Sequence, residues 1–272
     1  MVVQHNLQAA NTNRMLGQNV KAVSKSTEKL SSGYAVNRAA DDAAGLSISE
    51  KMRNQIRGIN QAVKNSEDGV SLIQTAEGNM NEIHSILQRM GELATKAAND
   101  VNATEDRDAI ADEMTQLRDE IDSISSKAAF NGTKLLTGDF KSKFLQVGAN
   151  AGENMEITIK TMNTTTLKLT SADVRVSSHA LAATAMSKIS AAIKTVSAAR
   201  SELGAKQNRL NYTINNLENY SENLTSAESQ IRDTDMATEM TNYTKNNILQ
   251  QAAQSMLAQA NQSTQGVLSL LQ

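Results

Sequence analysis

The side chains that could do chemistry are few and scattered. The chain carries 3 His and no Cys. His5, His84 and His179 show neither HxxxH nor carboxylate spacing, which is what gathers metal ligands on one helix face, so no shared metal site is expected. The lack of cysteine excludes a thiol nucleophile and a disulfide alike, and leaves the redox compartment undetermined. Asp41 and Asp42 form an acidic pair, yet adjacent side chains diverge, and acids ahead of a helix answer the positive end of its dipole. Triplets such as Asn131-Gly132-Thr133 fit a glycosylation pattern but read more simply as turn or helix residues. No glycine-rich phosphate loop is present. No catalytic geometry survives, so neither an enzymatic activity nor a cofactor is expected.

What the sequence offers instead is length and periodicity. Every seventh residue from Ile189 is large and apolar: Ile189, Val196, Leu203, Leu210, Leu217, Leu224 and Ile231. A repeat of seven keeps these on one stripe of a helix. The companion heptad position reads Met186, Ile193, Arg200, Gln207, Ile214, Ser221 and Glu228, a mixed set. Such a helix, about 180–231, needs long partners along its whole length. The composition agrees, with no Pro, no Trp and 3% aromatic residues among 272. A net charge of -2 disfavours nucleic acid as a partner, and no basic tract points to an anionic membrane. No run approaches 18 apolar residues, and the N-terminus lacks a charged segment followed by an apolar one. That fits a cytosolic protein, and equally one exported without a cleaved signal.

Taken in order, residues 1–30 carry Val3, Leu7, Leu16, Val20, Val23 and Leu30 mostly at steps of three and four, an amphipathic helix stopped at Gly33. Gly45 reads as a second break. Ser47-Ile-Ser-Glu50 reads as a capping box that opens a long helix, about 47–99. Thr104 with two acids opens another, about 104–129, closed at Asn131-Gly132. Residues 133–175 change character. Met155, Ile157 and Ile159 alternate with polar residues as in a strand, Phe144 to Val147 is their expected partner, and Leu167 with Leu169 suggests a further short strand. From Asn246 to Gln272 there is no charged residue at all. A helix without charge suits burial among other chains, with Met256, Val267, Leu268, Leu270 and Leu271 as anchors; a disordered Gln-rich tail is the alternative.

Several segments resemble bacterial flagellin. Leu30 to Ser49 (LSSGYAVNRAADDAAGLSIS) is similar to the N-terminal signature of that family. His5-Asn6, Phe130-Asn131-Gly132 and Phe144-Leu-Gln-Val-Gly148 match as well, as do Ile231 to Glu239, Met256 to Gln262 and Val267 to Leu271. The family's variable outer region is reduced to a loop near 160–175. The resemblance implies a mainly α fold, a long antiparallel helical bundle or coiled coil with a small β-hairpin region. It implies an inner-tube domain from 1–46 with 232–272, and an outer-tube domain over 47–231. It further implies self-assembly into an extracellular filament for swimming, after type III export. Implied partners are an export chaperone, hook-junction proteins, the filament cap and the innate immune receptor Toll-like receptor 5. Leu7, Leu16, Val20, Val23, Met256, Val267, Leu270 and Leu271 would line the inner tube. Arg89, Leu93 and Glu113 match the receptor-contact motif, with Gly91 standing where the family has a basic residue and Thr264 where it has proline. A hook–filament junction protein, or a cytosolic coiled-coil scaffold, are the rival readings.

Overall fold

The computed structural model describes residues 6–269, with side chains through 263. Leu270 and Leu271, and the side chains of Val267, Leu268 and Thr264, therefore lie outside the described residues, as do Val3 and His5. Among the described residues the elements run α1 (Leu7–Ser32), α2 (Ala43–Ala97), α3 (Thr104–Lys127), β1 (Ala129–Phe130), β2 (Thr133–Lys134), β3 (Lys143–Gln146), β4 (Asn154–Ile157), α4 (His179–Arg232) and α5 (Met236–Ser269). The fold is mainly α with two small antiparallel hairpins, β1–β2 and β3–β4. Two compact units result: the described residues of Met1–Asn54 with Glu222–Gln272, and Gln55–Ser221. The divisions fall inside α2 and α4, whereas the sequence expectation placed them at 46/47 and 231/232.

In the unit Gln55–Ser221, α2 and α4 run antiparallel. Gly91 faces Ile189, Glu77 pairs with Arg200 at 3.5 Å, Gly69 faces Leu210, and Asn60 accepts from Ser221 at 3.0 Å. Along α2 the buried positions alternate by three and four without interruption from Ile59 to Ala97. Along α4, Ile189, Val196, Leu203 and Leu210 are buried, while Leu217 is half-buried. The companion position corrects the sequence reading. It is held by Ala185, Ala192 and Ala199, all buried, whereas Met186 is exposed and Ile193 and Arg200 are half-buried. Small side chains bring the backbones of a helix pair close, so alanine wins the inward position and the longer neighbours turn outward.

α3 folds back along α2 and adds Ile110, Met114 and Ile121 to the same core. Beyond α3 the β3–β4 hairpin takes its place against α2. A Cβ on Gly58 would stand 3.0 Å from Ala149, and one on Gly69 would collide with the Leu145 side chain. The two glycines are eleven apart, three turns of helix, so both open the same face to the hairpin.

Four local expectations need correction. α2 starts at Ala43, because the Asp42 carboxylate accepts from the Gly45 N–H at 2.9 Å; Gly45 is a first-turn residue and Ser47 is already helical. α3 ends before Ala128, so Asn131-Gly132 does not close it. These two residues, with φ of 46° and 76°, form the two-residue turn of the β1–β2 hairpin. Leu167 and Leu169 are buried but belong to a turn, in which Leu167 donates to Asn163 and Leu169 donates to Thr164. Their N–H groups are satisfied locally, which leaves neither as a donor for a strand partner.

Ala192 and Ala191 make an internal comparison, one buried and the other exposed. Ala192→Leu overpacks the α4 face and lowers stability by about 1–3 kcal/mol. Ala191→Leu stays within about 0.5 kcal/mol of the parent. Thermal unfolding followed by circular dichroism reads both, and equal midpoints would refute the alanine seam.

Candidate functional site

α1 and α5 pack as an antiparallel pair. Asn6 caps α1, its side-chain oxygen accepting from the Ala9 N–H at 2.9 Å, and its amide donates to the Ala260 carbonyl at 3.0 Å. At the other end Lys29 approaches Glu239 at 3.8 Å. Asp235 caps α5, accepting from Thr238 Oγ1 and from the N–H groups of Ala237 and Thr238, and these hydrogen bonds hold its carboxyl below the ordinary range.

The seam between the two helices is made mostly of small and polar side chains, with Leu16, Val23, Leu30 and Leu257 among them. On α1 the less exposed positions are Ala9, Thr12, Leu16, Asn19, Val23, Ser26 and Leu30. On α5 they are Glu239, Tyr243, Asn246, Gln250, Ala253, Leu257 and Ala260. Both sets alternate by three and four, the spacing of a two-helix seam. Of the expected self-assembly residues, Leu16 and Val23 sit half-buried in that seam. Leu7, Val20 and Met256 point away from it, as do Met15, Met240, Ile248 and Leu249. In a self-sufficient helix pair the positions flanking the seam carry Lys and Glu. Here Met15, Val20, Met240, Leu249 and Met256 occupy them. Large apolar side chains thus stand on the outward faces as well as in the seam, which suits a pair placed among further helices.

The end of α1, the start of α2 and the end of α4 meet at Tyr34. Its ring lies between the guanidinium groups of Arg53 and Arg232, 5.3 and 4.8 Å from the ring centre. The phenol oxygen accepts from Arg53 at 2.9 Å, and this bond foremost raises the Arg53 pKa. Arg53 also meets the buried Glu228 at 3.1 Å, and Arg232 pairs with Glu50 at 2.6 Å. The backbone closes the knot: Ala35 donates to the Arg232 carbonyl, and Thr234 donates to that of Gly33, which has φ of 77°. Sequence reasoning missed this cluster. Tyr34 directly after a helix-ending glycine is the one signal it left.

The Arg89 region forms a depression of about 450 Å³ lined by Arg89, Glu92, Leu93, Lys96, Asn102, Asp106, Ala109, Ile110 and Glu113. Arg89 donates twice to one Glu113 oxygen, at 3.0 and 2.9 Å, and once to Glu92 at 3.2 Å, and these bonds raise its pKa. Leu93 is 3% exposed and belongs to the core, so it is not a side chain presented to a partner, contrary to what the resemblance implies. A side chain at position 91 would meet only Ile189, at an ordinary 3.8 Å. Among the described residues no group of three or more His, Asp or Glu could hold a metal, and no helix is long and apolar enough to cross a membrane.

The N-terminal helical region of bacterial flagellin matches residues 3–141, and the C-terminal helical region matches residues 186–271. The chain belongs to the bacterial flagellin family. Flagellin of Halalkalibacterium halodurans is 52% identical over 271 residues, and flagellin of Bacillus subtilis 47% over 305, each pairing covering 100% of both chains. A 30.7 kDa flagellar filament core protein of Treponema maltophilum is 45% identical, again over 100% of both. Among solved structures, Bacillus cereus flagellin superimposes with a TM-score of 0.50 at 33% identity, covering 57% of this chain and 88% of that one. A putative flagellar hook-associated protein from Vibrio parahaemolyticus gives a TM-score of 0.60 over 71% of this chain and 100% of its own. At 15% identity that likeness is one of fold alone. Flagellin identity along the whole chain sets aside the coiled-coil scaffold.

For this flagellin the Arg89 region separates surface from core. Leu93→Ala opens a cavity and lowers stability by about 2–5 kcal/mol. Arg89→Ala removes exposed ion pairs, and its thermal midpoint stays near that of the parent. Calorimetry on both variants checks the assignment; a stable Leu93→Ala protein would return Leu93 to the surface.

Proposed function

We propose that the chain is the structural subunit of a bacterial flagellar filament, and that α1 and α5 carry its self-assembly. The observation that supports this reading is the set of large apolar side chains left on the outside of the helix pair, Leu7, Met15, Val20, Met240, Ile248, Leu249 and Met256, beside a seam built mostly of small and polar ones. Alone, that seam buries little to offset backbone ordering, which costs about 1–2 kcal/mol per residue. Neighbouring copies supply what is missing by covering Leu7, Val20, Ile248, Leu249 and Met256. In filament terms the α1–α5 pair forms the inner tube, and the unit Gln55–Ser221 the outer one. The role is structural rather than catalytic, and the place is the extracellular flagellum, reached through type III export without a cleaved signal. An export chaperone on the C-terminal tail, hook-junction proteins and the cap complete the partners. Receptor recognition, where it occurs, falls to Arg89 and Glu113 as a bonded pair without Leu93, and Gly91 makes it weaker than in a flagellin with a basic residue there.

Ile248 tests the assembly reading, because it is 60% exposed and touches little within the chain. Ile248→Asp leaves the thermal transition of the monomer unchanged and abolishes elongation from filament seeds, as read by electron microscopy and light scattering. Normal filaments from this variant would remove the outward face of α5 from the assembly surface.

A further inference from the structure

The exterior of the terminal helix pair has a chemical peculiarity beyond its polarity. Its large apolar residues include Met15 on α1 and Met236, Met240 and Met256 on α5, exposed by 47 to 56%. The unit Gln55–Ser221 treats the same residue type oppositely: Met80, Met90, Met114, Met155 and Met162 are all buried. Only Met186 is exposed there among the described residues, and it stands alone on the flank of α4. The chain contains no Cys and no Trp, so methionine sulfur is its most readily oxidised side-chain group. A thioether needs no deprotonation to react, and access therefore decides which sulfur is attacked.

We propose that Met15, Met236, Met240 and Met256 form an oxidation-sensitive set through which peroxide or hypochlorite switches off assembly of the free subunit. The proposal rests on α1 and α5 being the assembly surface. With hydrogen peroxide, a sulfur lone pair attacks one peroxide oxygen and the O–O bond breaks. A sulfur–oxygen bond forms, the sulfur loses two electrons, and the displaced hydroxide takes up a proton and leaves as water. The product is a sulfoxide on each side chain. It carries a strong acceptor oxygen and no donor, placed on a face that must be buried against other copies. Burial of an acceptor without a partner disfavours docking, and docking also needs the flexible, adaptable packing that methionine supplies and a sulfoxide lacks. Incorporation into a filament hides the same sulfurs, so the switch acts on the subunit before assembly and not on the finished polymer.

Full-length monomer is treated with graded hydrogen peroxide, the sites are mapped by peptide mass spectrometry, and seeded elongation is measured on the same samples. The expected order has Met15, Met236, Met240 and Met256 each gaining one oxygen well before the five buried methionines, with elongation falling at least tenfold as they do. Methionine sulfoxide reductases, applied to the treated monomer, restore it. The combined variant Met15→Leu, Met236→Leu, Met240→Leu and Met256→Leu elongates and resists peroxide, while Met186→Leu remains as sensitive as the parent. Filaments treated in the same way keep the four sulfurs unmodified. Oxidation at all four sites with undiminished elongation overturns the proposal, as does a combined variant that assembles yet stays sensitive. Should that variant fail to assemble, recovery of the oxidised parent by the reductases decides, and no recovery counts against the switch. Failure of the underlying assembly reading looks different: Ile248→Asp would then elongate normally whatever the peroxide result.

Discussion

The antiparallel pairing of α2 with α4 is the constraint on which the unit Gln55–Ser221 depends. It is set by alanine at every second core position of α4 and by Ala62, Ser66, Gly69 and Ala76 on α2. Large residues alternate with these along both helices. Beside that pairing, α3 and the β3–β4 hairpin pack against α2 in succession. α3 brings Ile110, Met114 and Ile121 to one stretch, and the hairpin brings Leu145 and Ala149 to the glycines of the other. A chain nearly without aromatic residues can hold a continuous core in this way, because many small contacts along a shared axis replace a few bulky ones.

Helices were legible in the sequence because their signals are local. The apolar ladder beginning at Ile189, the stop at Gly33 and the strand alternation around Met155 each rest on residues within one or two turns. The companion seam of α4 was not legible. Alanine looks neutral in a periodicity count, and Met186 or Ile193 claims the position until a second backbone is present to exclude it. The same holds for Ser47, whose capping box is sound in sequence but loses to Asp42 five residues earlier. Leu167 and Leu169 show the converse case: burial was read correctly as a two-residue rhythm, and the turn that achieves it has its own backbone hydrogen bonds. Leu93 carries the plainest lesson, since a step of four from Arg89 puts two residues on neighbouring stripes without saying which stripe faces water.

Tyr34 solves a different problem. Where α1 ends and α2 begins, the backbone has no ladder to join, and its groups still need partners. A single aromatic ring between two guanidinium groups, each with its own carboxylate, holds the segment together with charge and π-face where apolar bulk is lacking. Five side chains from two helices and a loop thus depend on one another, a coupling that no window of sequence displays, because Tyr34 and Arg232 stand almost two hundred residues apart.

The charge-free run of α5 beyond Lys245 has a thermodynamic consequence. Association through a surface without ions offers nothing for a salt to screen, so ionic strength has little leverage over it. Its driving force is the release of water from apolar side chains, which is entropic near room temperature and fades on cooling. A contact of this kind tightens with warmth and slackens in the cold.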